Sequence, residues 1–132
     1  AITVRGAASR TEALAAARCI ATSPLVKTAL AGGDPNWGRI LAAAARSGAR
    51  LDAAGLRLAL ARGDGEGQAV GPWLTLVEGG VAASFAETEA AALLAGSDVC
   101  FRLDLGLGDA QSTVWTCDLT ADYVSINADY TT

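Results

Sequence analysis

Apolar and polar positions alternate at the start of the chain, where Ile2 and Val4 are interleaved with Thr3 and Arg5 before Gly6, and this period of two predicts a short strand. The period then lengthens. Ser9 precedes a run in which Leu14, Ala17, Ile20 and Ala21 recur at helical spacing, which predicts an amphipathic helix over residues 10–22 with a serine cap. Ser23-Pro24 pairs a capping side chain with a proline that loses no hydrogen bond at the first helical position. A second helix is predicted over 24–30, ending at Gly32-Gly33. Asp34-Pro35 repeats the device and predicts a third helix over 35–47, capped by Asp34 and stopped by Gly48.

From Leu56 the period returns to two, with Leu56, Leu58 and Leu60 on one face of a strand that turns at Gly63-Asp64-Gly65. A further strand is predicted over 73–77, and a helix over 87–94 with Ala90, Leu93 and Leu94 inward. Val99, Phe101, Leu103 and Leu105 then line one face of a long strand. The turn at Gly106 to Asp109 predicts a hairpin that returns through 112–117, before a short terminal helix capped by Asp118-Leu119-Thr120. Helices and strands alternate without a regular βαβ rhythm. The expected fold is therefore α+β, a two-layer, mostly antiparallel sheet packed with helices, with residues 1–132 as a single domain.

Composition narrows the chemistry. The chain has 132 residues, no histidine and no methionine. A histidine-based nucleophile pair is closed to it, and Ala1 is not expected to be a translational start, so a processed or truncated chain is expected. A 52% hydrophobic content is inflated by 30 alanines. The net charge of −4 and pI near 4.6 argue against a phosphate-tracking surface and hence against a nucleic-acid partner. Arg46 and Arg50 are the densest basic spot and read as a solvated helix end. No apolar run reaches the ~20 residues of a membrane span, so a membrane partner is not expected and a cytoplasmic location is.

Cys19, Cys100 and Cys117 lack metal-binding spacing, and no metal is expected. Cys100 and Cys117 are placed to face each other across the predicted hairpin, although two buried thiols are the simpler reading. The glycine-rich stretch 62–67 completes neither a phosphate-loop nor a calcium-loop pattern and reads as a solvated turn. Lys27, the sole lysine, reads as a snorkelling surface side chain. Gly32 to Arg39 offers a helix N-terminus that could hold a carboxylate. Its Asp34 and Pro35 read more simply as caps and Trp37 as a buried anchor.

Three blocks in order, Ser23-Pro24-Leu25-Val26-Lys27-Thr28-Ala29, then Gly33-Asp34-Pro35-Asn36-Trp37-Gly38-Arg39-Ile40, then Trp115-Thr116-Cys117-Asp118-Leu119-Thr120 through Asn127-Ala128-Asp129-Tyr130-Thr131-Thr132, resemble the ornithine acetyltransferase family. That family comprises the bifunctional glutamate N-acetyltransferases of arginine biosynthesis. The resemblance implies a precursor that cleaves itself into alpha and beta chains, assembled as a heterotetramer of two of each. Acetyl would move from N-acetylornithine to a threonine nucleophile at the start of the beta chain and then to glutamate, with acetyl-CoA as an additional donor and no other cofactor. A terminal amine acting as base makes histidine unnecessary.

On this reading the chain is the C-terminal domain of the beta chain and carries no catalytic residue. The family's cleavage site and acidic D-G-E-G-A-T-K stretch fall before Ala1, so Asp64-Gly65-Glu66-Gly67 is a decoy and Glu66 inherits no role. Asn127 and Thr132 match the family's substrate-binding asparagine and terminal threonine. Two alternatives remain: a structural or interaction domain without catalytic part, and a secondary-metabolism paralogue with another acyl donor or acceptor.

Overall fold

The computed structural model describes residues 1–130. Strand β1 (Ile2–Ala7) leads into three helices, α1 (Arg10–Ala21), α2 (Pro24–Ala31) and α3 (Trp37–Ala45). A 3-10 turn at Ala53–Gly55 precedes β2 (Arg57–Gly63), β3 (Ala69–Glu78) and the two-residue β4 (Val81–Ala82). Then come α4 (Glu87–Leu94), β5 (Val99–Asp104), β6 (Ala110–Val114) and α5 (Ala121–Ala128). The strands form one six-stranded sheet in the order β4-β3-β2-β5-β1-β6. Each neighbouring pair is antiparallel except β1 with β5, which run parallel. The α+β, mostly antiparallel architecture is the one expected.

Register explains the core. Ile2 pairs with Phe101 and Val4 with Leu103, while Leu58 and Leu60 meet Leu103 and Phe101 from the other side. All six side chains are buried, in one cluster with Ala17 and Ile20 of α1, Val26 of α2, Ile40 of α3 and Leu94 of α4. Each strand thus gives every second residue to the helical layer. The alternate positions form a polar ladder instead. Thr3 and Thr113 hydroxyls meet at 2.9 Å, Arg5 pairs with Asp104 at 3.0 Å, Arg57 pairs with Glu78 at 2.8 Å, and the Arg102 guanidinium lies 4.1 Å from the centre of the Trp73 ring.

Two expectations about local structure fail for identifiable reasons. The hairpin joining β5 to β6 does not form, because β1 occupies the place between them. The connection after Asp104 passes across the end of β1, where Leu107 and Gly108 both donate to the Gly6 carbonyl at 2.8 and 2.9 Å. Glycine is required at this crossing. Gly6 has φ +64°, and a Cβ there would overlap the Asp104 carboxylate; a Cβ on Gly108 would stand 2.6 Å from the Ala7 carbonyl oxygen. The third helix begins at Trp37, two residues later than predicted, because Asn36 is the cap, its Oδ1 accepting from Arg39 N at 3.1 Å. The predicted caps Ser9 and Ser23 do hold, accepting from Glu12 N and Val26 N.

Arg50 is more than a solvated helix end. Its guanidinium donates to Glu12 at 2.8 Å and its backbone N–H to the same carboxylate at 2.9 Å, tying the loop after α3 to the first turn of α1. These bonds hold the Glu12 carboxyl below the usual glutamate range. A lowered carboxyl contributes stability above its unfolded pKa, near ~4.3, and that contribution is lost as pH falls through the lower folded value. Glu12→Gln is expected to show a smaller loss of thermal stability between neutral and acid pH than the parent, measured by circular dichroism melts. An identical loss in both proteins would show that the pair contributes nothing.

Candidate functional site

After β6 the chain is laced to the helical layer before it enters α5. The Thr116 hydroxyl donates to the Ala21 carbonyl at 2.7 Å, and the Leu119 N–H donates to the Lys27 carbonyl at 3.2 Å. Lys27 therefore contributes its backbone to this tether, while its half-buried side chain agrees with a snorkelling lysine. Thr120 then caps α5, accepting from Tyr123 N at 3.3 Å.

Nothing of α5 is buried. Tyr123, Val124 and Ile126 are 58%, 58% and 62% exposed, and Tyr130 beyond the helix is 77% exposed. Asn127 sits on the last turn with its Nδ2 donating to the Tyr123 carbonyl at 2.8 Å, so its amide is exposed at the far end of a tethered arm. Thr132, the other expected substrate-binding residue, lies outside the described residues.

Two clefts flank this arm's root and the helical layer. The first, of about 390 Å³, opens at the end of the sheet where β1 and β5 begin and β2 and β6 end, with Gly65, Asp98, Cys100, Trp115 and Cys117 in its wall. The loop between β2 and β3 is the tight turn expected, closed by the Asp64 carboxylate, which accepts from Glu66 N and Gln68 N at 2.8 and 2.9 Å. Those amides hold the Asp64 carboxyl below its usual range. The loop also presses on its neighbours: a Cβ on Gly67 would stand 2.7 Å from the Trp115 indole nitrogen. It is thus a packed wall as well as a turn.

The cysteines correct a sequence expectation. Cys100 and Cys117 do not face each other across a hairpin, since β1 separates β5 from β6; both thiols are free, and of the two expected to be buried only Cys100 is, Cys117 being exposed beyond the end of β6. Burial pushes the Cys100 thiol up. Because the thiolate is the reactive form, an exposed-thiol reagent is expected to label Cys117 in the native chain well before Cys100, as peptide mass mapping of labelled sites will show. Simultaneous labelling would contradict the burial.

The second cleft, of about 460 Å³, is framed by Asp34, Asn36, Trp37 and Gly38 together with Phe85 and Glu87. Trp37 and Phe85 both pack against the core from outside, so Trp37 is the anchor its sequence context indicated. Phe85 and Glu87 were not legible as partners of the Gly33–Arg39 block, because nearly fifty residues of chain separate them and neither carries a motif. Among the described residues no three His, Cys, Asp or Glu side chains gather closely enough to hold a metal ion, and no helix is long and apolar enough to cross a membrane.

The model of the ArgJ family matches residues 1–132, from end to end. The chain belongs to the ArgJ family. It is 46% identical over 129 residues to the arginine biosynthesis bifunctional protein ArgJ of Ruegeria pomeroyi, covering 98% of this chain and 29% of that protein. It is 44% identical over 131 residues to the glutamate N-acetyltransferase of Methanopyrus kandleri, covering 99% and 32%. A crystal structure of ArgJ from Bacillus halodurans superposes with a TM-score of 0.84 at 36% identity, covering 98% of this chain and 56% of that one. The chain therefore spans about a third or less of the length of these ArgJ relatives. Its fold is the ArgJ fold of that region, and the family resemblance read from the three sequence blocks holds.

Proposed function

We propose that this chain is the C-terminal part of the beta chain of a glutamate N-acetyltransferase, in which it scaffolds the active site and closes a substrate clamp. The observation that carries the proposal is α5. A helix rooted by two hydrogen bonds but burying none of its own side chains, with Tyr123, Val124 and Ile126 outward, is built to pack against something beyond this chain. The length of the relatives is in keeping with this, since more than two-thirds of it lies outside the matched region.

In this reading the alpha chain and the rest of the beta chain receive α5, in a heterotetramer of two alpha and two beta chains in the cytoplasm. The threonine nucleophile lies outside this chain. Its Oγ attacks the acetyl carbonyl of N-acetylornithine, the ornithine amine departs with a proton, and the glutamate amine then takes the acetyl from the threonine ester, whose Oγ recovers the proton. Acetyl-CoA serves as an alternative donor. The chain's own contribution is binding: the Asn127 amide and the Thr132 hydroxyl hydrogen-bond the polar groups of the amino-acid substrate and hold it for attack.

The test compares two polypeptides. The full-length precursor containing this segment is expected to transfer acetyl from N-acetylornithine to glutamate, followed by mass spectrometry of the product, and the 132-residue chain alone to transfer none. Transfer by the chain alone, or none by the mature assembled protein with either donor, would overturn the proposal. Transfer only with a different acyl group or acceptor would move the assignment to a paralogue with the same chemistry.

A further inference from the structure

The segment between β6 and α5 is gripped from two sides. On one side the Trp115 indole lies against the loop between β2 and β3, where a Cβ on Gly67 would stand 2.7 Å from its nitrogen. On the other, the Thr116 hydroxyl reaches the Ala21 carbonyl at 2.7 Å across 95 positions of sequence. Ala21 ends α1 and is 4% exposed, so its carbonyl is one of the orphan acceptors of a helix terminus. The neighbouring orphans are served locally: the Thr22 N–H donates to the Arg18 carbonyl at 3.0 Å and the Ser23 N–H to the Ile20 carbonyl at 3.2 Å. Among the described residues the Ala21 carbonyl is left to Thr116. A hydroxyl carries one proton, and the Cys117 carbonyl at 3.4 Å is the poorer acceptor for it.

From this root to Asn127 each joint is fixed by a hydrogen bond. The Leu119 N–H holds the Lys27 carbonyl, Thr120 Oγ1 accepts from Tyr123 N at 3.3 Å, and the Tyr123 carbonyl accepts from Asn127 Nδ2 at 2.8 Å. Among the described residues, Thr116 makes the one side-chain hydrogen bond between residues 115–130 and the rest of the chain. Nothing in α5 replaces it, since the helix buries none of its own residues. At ~1.5 Å per helical residue, Thr120 to Asn127 spans about 10 Å, so a swing of about 6° at the root carries the amide about 1 Å. Misplacements of that size are felt in catalysis.

We infer that Thr116 is a positioning residue for acetyl transfer: its bond to the Ala21 carbonyl sets where α5 presents Asn127, while Thr116 itself touches no substrate. The inference rests on the substrate-clamp reading proposed above. An arm released from Ala21 samples other orientations, and only its seated fraction binds, so the apparent affinity falls by that fraction. Substrate already held by the Asn127 amide favours the seated arm again. Turnover at saturation is therefore spared.

The test measures acetyl transfer from N-acetylornithine to glutamate by the assembled enzyme carrying Thr116→Val, which keeps the shape and loses the donor, or Thr116→Ser, which keeps the donor. Thr116→Val is expected to raise KM for both substrates about fivefold, the fold-change of one neutral hydrogen bond, with kcat held within about twofold. Thr116→Ser is expected to keep KM within about twofold of the parent, because the bond to Ala21 survives. Thr116→Ala, a second variant without the donor, should match Thr116→Val and keeps the comparison open if valine disturbs assembly. In the Asn127→Ala background Thr116→Val is expected to add less than about twofold, because it acts through that amide. Equal KM for the valine and serine variants, a fall in kcat alone, or the full effect in the Asn127→Ala background would overturn the inference and leave Thr116 a structural contact. The two readings fail separately. Asn127→Ala with parental kcat/KM removes the clamp and this inference with it, whereas a slowed Asn127→Ala beside a parental Thr116→Val removes this inference alone.

Discussion

Leu103→Ala is expected to lower the unfolding free energy by about 3 kcal/mol, in the middle of the ~2–5 kcal/mol range for truncating a buried leucine. Leu103 is 1% exposed and sits in β5, with Val4 of β1 on one side and Leu58 of β2 on the other. Close packing leaves its neighbours little room to fill the vacated volume. A fall in melting temperature on the order of 10 °C should follow for a domain of this size, read by circular dichroism. Leu107→Ala is the control, since Leu107 is 44% exposed on the crossing loop and should cost within about 0.5 kcal/mol.

The same variant tests the strand order. A double-mutant cycle with Val4→Ala should give a coupling of at least about 0.5 kcal/mol, because the two side chains are direct cross-strand neighbours. Additive effects from the two substitutions would speak against β1 lying beside β5.

The alternation of Ile2 with Val4, of Leu58 with Leu60 and of Val99 through Leu105 made those strands legible, since a half-buried strand must repeat with period two. Ser9 and Ser23 were legible as caps for a similar reason: the orphan amides they satisfy follow immediately in sequence. Strand order was not legible. Local alternation at 99–105 and 112–117 satisfies a hairpin as well as it satisfies a crossing, and only β1, nearly a hundred residues earlier, decides between them. Asp34 and Asn36 are both good caps, and the choice fell to Asn36 because its amide can cap α3 and hold Asp34 at once. At the candidate site, Asn127 was legible only through its family-like block. Its position on an arm with no buried face is a tertiary fact that composition does not contain.

Asn127→Ala in the assembled enzyme is expected to reduce kcat/KM for both N-acetylornithine and glutamate by roughly 10- to 150-fold, the ~1.5–3 kcal/mol of a hydrogen bond to a charged group. Under the proposed function both substrates should suffer, because there one clamp serves both halves of the ping-pong cycle and each amino acid presents an α-carboxylate to it. Stability separates this from a structural role. Asn127 is exposed, and the hydrogen bond of its side chain returns to the Tyr123 carbonyl of its own helix, so the substitution should change the unfolding free energy by no more than about 0.5 kcal/mol. A purely structural α5 would behave in the opposite way, with kinetics unchanged for donor and acceptor alike. The Asn127 Nδ2 carries two N–H donors, of which one is on the Tyr123 carbonyl, so the second is free to make a charge-assisted bond that gives the substrate's carboxylate an advantage over any neutral competitor. N-acetylornithine amide, which keeps the acetyl group and loses that negative charge, should therefore be a poor donor for the parent enzyme and lose much less than N-acetylornithine on Asn127→Ala.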